Sequence, residues 1–261
     1  MLPSNPAETL MRFLSFRPER SDQVLSLFSE LEGAIPHVDG GKNNFVYIPG
    51  KRPDRVVLVA HADTVWDLFY LKELYPYTDP ELAEKLPHMI HDPVFDGKTV
   101  FQNGWSGWGL GADDRAGCAM LWLLKDSGHS LLVTDGEEHG QIGSHYLTDH
   151  YPALSEELNA HSYMIQLDRR GSSDYKTYNL PVTGAFCRFI RWHTGCRDAG
   201  KTSRTDIVAL CRTVCGVNLS IGYRNEHSPA EQLSYASWLK MLTKLSRMLE
   251  KKQPRFPLLE E

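Results

Sequence analysis

The stretch Leu131–Gly140, LLVTDGEEHG, holds an apolar run of strand length, a turn carrying Asp135, Glu137 and Glu138, and the approach to a helical stretch over about 143–158. Strand, turn and helix in that order make one βα unit. The crowded acids need a reason. Adjacent carboxylates repel by about 1 kcal/mol at ~4 Å in water, and several-fold more once partly desolvated. Opening a helix is the plain explanation, since acidic residues suit a helix's first turn. A second one requires matching positive charge or metal ligands elsewhere in the chain.

Outward from this unit the pattern repeats. NNFVYIPG (43–50), DRVVLVAHAD (54–63), YMIQL (163–167) and GVNLSIG (216–222) read as strands bounded by Gly, Pro, Asn and Asp. Helices are expected from Asn5-Pro6 to about Phe16, from Ser21 to about Leu31, and from about Asp114 to Lys125, this last one apolar nearly all round and so buried. Two more are expected over Thr205–Val214 and from Pro229 to about Lys251, where Tyr235, Leu239, Leu242, Leu245 and Leu249 recur at helical spacing. Alternating strands and helices imply a three-layer α/β/α architecture around a mostly parallel sheet, here one domain over residues 1–261. The segment 66–108 is irregular and rich in aromatics, among them Trp66, Phe69, Tyr70, Tyr75, Tyr77, Phe95, Phe101, Trp105 and Trp108. So many aromatics argue against disorder and for a packed insertion or cover over a ligand site.

The 261 residues, 41% of them hydrophobic, suffice for a full core. A net charge of −5 without a Lys/Arg run offers nothing to nucleic acid. No apolar stretch reaches the ~20 residues of a membrane span, and MLPSNPAETLMRF lacks the basic and apolar regions of a signal peptide. Five cysteines without a CxxC pair suit a reducing cytoplasm, with Cys211 and Cys215 read as two thiols on one helical stripe.

Ligands of parallel α/β sheets gather at the carboxyl ends of strands. RVVLVA ends in His61-Ala62-Asp63, GWGLGADD delivers Asp113 and Asp114, LLVT leads to Asp135, Glu137 and Glu138, YMIQL ends in Asp168, and VNLSIG leads to His227. Any one of these suits an ordinary turn; five together point to a shared site. Two histidines and several carboxylates without cysteine match Zn²⁺, Mn²⁺ or Co²⁺. His61, Asp113, Glu138, Asp168 and His227 suffice for two ions sharing one carboxylate, and Glu137 is left beside them as a general base. The paired glutamates then have different tasks.

AHADTV, GLGADDRAG, TDGEEHGQIGS, QLDRRG and RNEHSPAE resemble, in order and style, the motifs of the co-catalytic zinc exopeptidases of metallopeptidase clan MH: leucyl and glutamyl aminopeptidases, peptidase T, carboxypeptidases and aminoacylases. The likeness runs over about residues 55–235. It implies a zinc-exopeptidase-like (phosphorylase/hydrolase-like) fold and two divalent ions, zinc by preference. Asp113 would bridge them, His61 and Asp168 would complete one site, and Glu138 and His227 the other. Asp63 would orient the His61 ring, Glu137 would be the base, and the Asp113–Asp114 peptide would be cis. The stretch between Asp168 and His227 is too short for the inserted dimerisation domain of many members, so a monomer or small homo-oligomer is expected. The implied activity is cleavage of short peptides, with water activated by the metal pair. An aminopeptidase is favoured because Asp, rather than Glu, stands at 168. The alternatives are an N-acyl-amino-acid deacylase and, further off, a glutaminyl-cyclase-like acyltransferase. Arg169, Arg170 and Arg224 are strand-end cations able to meet a substrate carboxylate. His139, His145 and Asp206 are weaker candidates near the site, and Ser203 or Thr205 an N-cap.

Overall fold

The computed structural model of the chain describes residues 5–38, 44–67, 90–104 and 108–259. Twelve strands, β1 to β12 in chain order, form two sheets among these residues: Ile35–His37, Phe45–Ile48, Val57–His61, Pro93–Phe95, Thr99–Gln102, Ser130–Thr134, Met164–Arg169, Asp174–Lys176, Arg197–Asp198, Gly216–Ser220, Tyr223–Arg224 and Gln232–Ser234. The helices are α1 (Pro6–Leu14), α2 (Ser21–Ser29), α3 (Ala112–Leu124), α4 (Ile142–His150), α5 (Pro152–Asn159), α6 (Gly184–Thr194), α7 (Asp206–Leu210) and α8 (Tyr235–Leu249).

The large sheet has the order β1-β2-β6-β3-β7-β10-β8-β9. Its centre, β6-β3-β7-β10, is parallel, and the pairs β1·β2, β2·β6 and β10·β8 are antiparallel. Both faces of the central strands are covered: β3 (VLVAH) and β6 (SLLVT) are buried at every residue, as strands of a parallel sheet between helical layers must be. α3 lies on β3 and β7 with α1 and α8 against it, while α4, α5 and α7 pack together on the strands of the other layer. Each large aliphatic side chain buried this way contributes roughly 1.5–3 kcal/mol. Trp238 of α8 is fully buried and donates its indole N–H to the Ala116 carbonyl at 3.0 Å, fixing α8 to α3.

Register places the site. His61 is level with Thr134 across β3·β6. In β3·β7, Val59 faces Gln166, so two residues further on His61 comes level with Asp168. On the other side of β7, the β7·β10 ladder shifts register between Asn218 and Ser220, beside Asp168.

Three sequence readings change. The helix expected over Thr205–Val214 stops at Leu210, because the Asn159 side-chain oxygen accepts the N–H groups of Arg212 (2.7 Å) and Thr213 (2.9 Å) and turns the chain. Cys211 and Cys215 are buried free thiols, but Cys215 lies past the helix rather than on its stripe. The helix expected from Pro229 begins at Tyr235, capped by Ser234; Gln232–Ser234 instead pairs with Thr99–Phe101. That pairing belongs to a second, antiparallel sheet, β11-β12-β5-β4, which the sequence did not announce. In it the loop carrying His227 is the turn between β11 and β12. Strand β8, helix α6 and strand β9 lie between YMIQL and Thr205, where no element was assigned from the sequence. The aromatic cover rested largely on Phe69, Tyr70, Tyr75, Tyr77 and Trp105, which fall outside the described residues. Of the others, Trp108 is buried beneath the Arg17 guanidinium at 5.2 Å, and Phe95 packs on Tyr235 with ring centroids 5.0 Å apart.

Candidate metal centre

His61 is the last residue of β3 and has no exposed surface. Its Nδ1 lies 3.1 Å from the Asp63 carbonyl oxygen and 3.3 Å from Asp63 Oδ1. A donor is wanted there, so Nδ1 carries the proton and Nε2 is left as the free lone pair. Nε2 faces Asp113 Oδ1 and Asp168 Oδ1, each at 3.3 Å. Asp63 also accepts the backbone N–H of Glu137 (3.1 Å) on one oxygen and that of Glu138 (3.2 Å) on the other. One buried carboxylate thus sets both the His61 ring and the acidic turn after β6.

Asp168 is oriented from behind. Its Oδ2 accepts from Thr205 Oγ1 (2.8 Å), Gln166 Nε2 (3.0 Å) and Asn218 Nδ2 (3.3 Å), which turns Oδ1 toward His61. Tyr223 adds its hydroxyl to Oδ1 at 3.3 Å. Opposite, His227 Nε2 lies 3.2 Å from Asp113 Oδ2 and 2.9 Å from Glu138 Oε1. Asp113 therefore presents one oxygen to each histidine. The peptide between Asp113 and Asp114 is cis, as the resemblance implied.

Sequence reading missed several of these partners. Glu231 is buried and accepts the backbone N–H groups of Gly111 (2.7 Å) and Asp113 (3.0 Å), fixing the chain on which Asp113 sits. Its only signal was its place in RNEHSPAE, four residues after His227. Asp114 falls within reach of His61 and Asp168 as a possible ligand. Its two oxygens, however, accept the N–H groups of Gly117 (2.9 Å) and His61 (3.2 Å), so we assign it to holding α3 against β3. Gly117 is required there, since a Cβ would stand 2.2 Å from Asp114 Oδ1 and 2.3 Å from the Leu167 carbonyl oxygen.

The residues fit divalent ions on two counts. His61 Nε2, Asp113 Oδ1 and Glu138 Oε1 are buried and complete no hydrogen bond; they approach one another as ligand atoms do. Four carboxylates also share this small volume. Burial, then repulsion from Asp113, pushes Glu138 up to about 8 and Asp168 up to about 7. Burial, then Asp168, raises Glu137 well above the usual carboxylate range. Burial opposes the charged form of Asp113 too, but His227 and His61 outweigh it and hold its pKa low. Without bound cations this cluster would take up protons, whereas bound cations keep it ionised.

The weaker candidates separate. Arg169 is held by both oxygens of Asp174 (2.8 and 3.1 Å), and Arg170 by Glu226 (2.6 Å) at the rim. Arg224 donates to Gln232 in the small sheet and does not line the site. Thr205 stands at the α7 N-cap position, but its hydroxyl serves Asp168. Asp206 is fully buried and accepts from Thr134 Oγ1 at 2.5 Å. His139 sits inward beside Thr64 and Asp63, and His145 is an exposed residue of α4.

No protein-family model matches the chain, and no curated protein matches its sequence. Solved structures do match. The aminopeptidase PepT of Bacillus cereus aligns over 94% of this chain and 97% of its own, at 14% identity and a TM-score of 0.61. A tripeptidase of Staphylococcus aureus aligns over 96% and 98%, at 11% identity and a TM-score of 0.62. The TET1 peptidase of Pyrococcus horikoshii, which assembles into a tetrahedron or an octahedral shell, aligns over 94% and 98%, at 16% identity and a TM-score of 0.57. The chain therefore has the three-layer fold of these peptidases, over nearly its whole length.

Proposed function

We propose that the chain is a metal-dependent exopeptidase, most directly an aminopeptidase of short peptides, of the co-catalytic zinc type. One observation carries the reading. Two histidine-carboxylate sets meet at the oxygens of Asp113, with a buried glutamate, Glu137, beside them. In the proposed assignment His61, Asp113 and Asp168 would hold one ion, and Asp113, Glu138 and His227 the other. Two bound divalent ions supply Lewis acidity for a carbonyl and lower the pKa of water. Glu137 receives the water's proton at its carboxylate and returns it to the leaving amine. Asp63 keeps His61 in its ligating tautomer and holds the backbone of Glu137 and Glu138. The fold likeness to peptidases supports this reading, as does Asp rather than Glu at 168.

The test has two parts. Unblocked di- and tripeptides should be cleaved at least tenfold faster than their N-acetylated forms at equal metal loading. Glu137→Gln should abolish turnover while keeping its metal, and Glu138→Ala should lose metal as well. Substantial activity in Glu137→Gln removes the assigned base. The deacylase stands second because the cations that line the cavity would also receive the carboxylate of an N-acyl amino acid. Faster cleavage of the acetylated set would promote it. A monomer or small homo-oligomer is our reading of assembly, and light scattering that found shell-sized particles would correct it. No described helix is long and apolar enough to cross a membrane.

A further inference from the structure

The cavity over the acidic cluster has a volume of about 380 Å³, at the small end for ligand pockets. Its lining carries both signs of charge: Asp113, Glu137, Glu138 and Asp168 are joined there by Arg169, Arg170, Lys176 and Arg204. Arg169 and Arg170 are neutralised by Asp174 and Glu226. Lys176 and Arg204 are not. Lys176 is a buried residue, and the hydrogen bonds of its ammonium go to neutral oxygens: the Thr202 carbonyl (2.7 Å), Thr202 Oγ1 (3.2 Å) and Ser203 Oγ (3.3 Å). Burial first, then Arg169 and Arg170, lower its pKa, as expected of a cation without a counter-ion. Through those bonds Lys176 pins the 202–203 backbone, and the next residue, Arg204, is exposed with no ion pair among the described residues.

We infer that Lys176 and Arg204 form an anion subsite for the free carboxylate of the substrate, which makes the preferred substrate a short zwitterionic peptide rather than the end of a long chain. The inference rests on the proposed peptidase reading for where the scissile bond lies. Arg204 supplies the planar fork that pairs two donors with a carboxylate, and Lys176 supplies the fixed positive charge behind it. An extended residue spans at most ~3.6 Å, so a pocket this small brings both ends of a di- or tripeptide under opposite charges. An internal peptide group arriving at the same place brings no charge to match, and leaves the cations desolvated without compensation. Neither residue was a candidate from sequence, because only the fold brings β8 and the loop before α7 to the strand ends.

The experiment compares each di- and tripeptide with its C-terminal amide, in kcat/KM for the metal-loaded chain. In parallel, calorimetric binding of the same pairs to Glu137→Gln needs no turnover. The free acid should be favoured at least tenfold in both measurements. In Arg204→Gln, and separately in Lys176→Met, the acid-to-amide ratio should fall below about threefold. Arg204 is exposed, so its variant keeps the test intact if Lys176→Met fails to fold, which a thermal melt will show. A wild-type ratio near one overturns the subsite, and so does a preference that survives in Arg204→Gln. Absence of any peptide cleavage would instead fail the peptidase reading, and the binding arm still decides the subsite.

Discussion

Asp113, the shared carboxylate of the proposed centre, is held in place from two sides. Glu231 accepts its backbone N–H, and Asp114 holds the next turn of the chain to β3. Glu231→Ala would leave the N–H groups of Gly111 and Asp113 buried without an acceptor, at about 1–3 kcal/mol each. The variant should bind divalent metal at least tenfold more weakly than wild type in a competition titration, and unchanged affinity would show that Glu231 does not position Asp113. Gly117→Ala puts a methyl group against Asp114 and the Leu167 carbonyl. Overpacking of this kind destabilises by about 1–3 kcal/mol, to be read as a lower urea midpoint at an unchanged slope. At this scale the sequence was informative for the candidate ligands and base, and silent for most residues that hold them in place. His61, Asp113, Glu137, Glu138, Asp168 and His227 stood out by charge at strand ends. Gln166, Asn218 and Tyr223 look like ordinary strand residues, and only register reveals that they serve Asp168.

Among the elements, the central strands and α3 were legible because burial on all sides leaves a continuous apolar run. The ends of α7 and α8 were not. Their apolar spacing extends beyond the helices, and the limits are set by distant partners, the Asn159 side chain for one and the β5 edge for the other. A second polar arrangement lies between β6, β3 and α5. His161 is buried, its Nδ1 donates to the Glu157 carbonyl (2.8 Å), and its Nε2 accepts from Arg55 (3.0 Å) and contacts Ser130 Oγ (2.7 Å). Burial above all lowers its pKa to about 4, so the folded state holds the ring neutral. The unfolded chain takes up this proton near 6.5. Stability from this group is therefore full above about 6.5, falls as pH drops from 6.5 to 4, and is constant below, a loss of up to about 3 kcal/mol. Wild type should lose more stability than His161→Gln between pH 7 and 4.5 in urea unfolding. A ring titration near 6.5 in the folded protein would contradict this.

Across the whole molecule, the carboxyl ends of the parallel strands collect the proposed ligands from β3, α3, β6 and β7, and the small antiparallel sheet contributes His227. The sequence showed the first four sources through their strand-end pattern. It did not show the second sheet, whose short strands pair residues far apart in the chain. In the proposed account divalent cations, rather than protons, neutralise the acidic cluster, so metal content is the direct measure of that account. Purified chain saturated with Zn²⁺ and dialysed should retain two ions per chain by elemental analysis, and Asp113→Ala should lose both, since one residue serves each histidine set. Retention of fewer than two ions by the wild type, or of two by Asp113→Ala, would contradict the bridged two-metal centre.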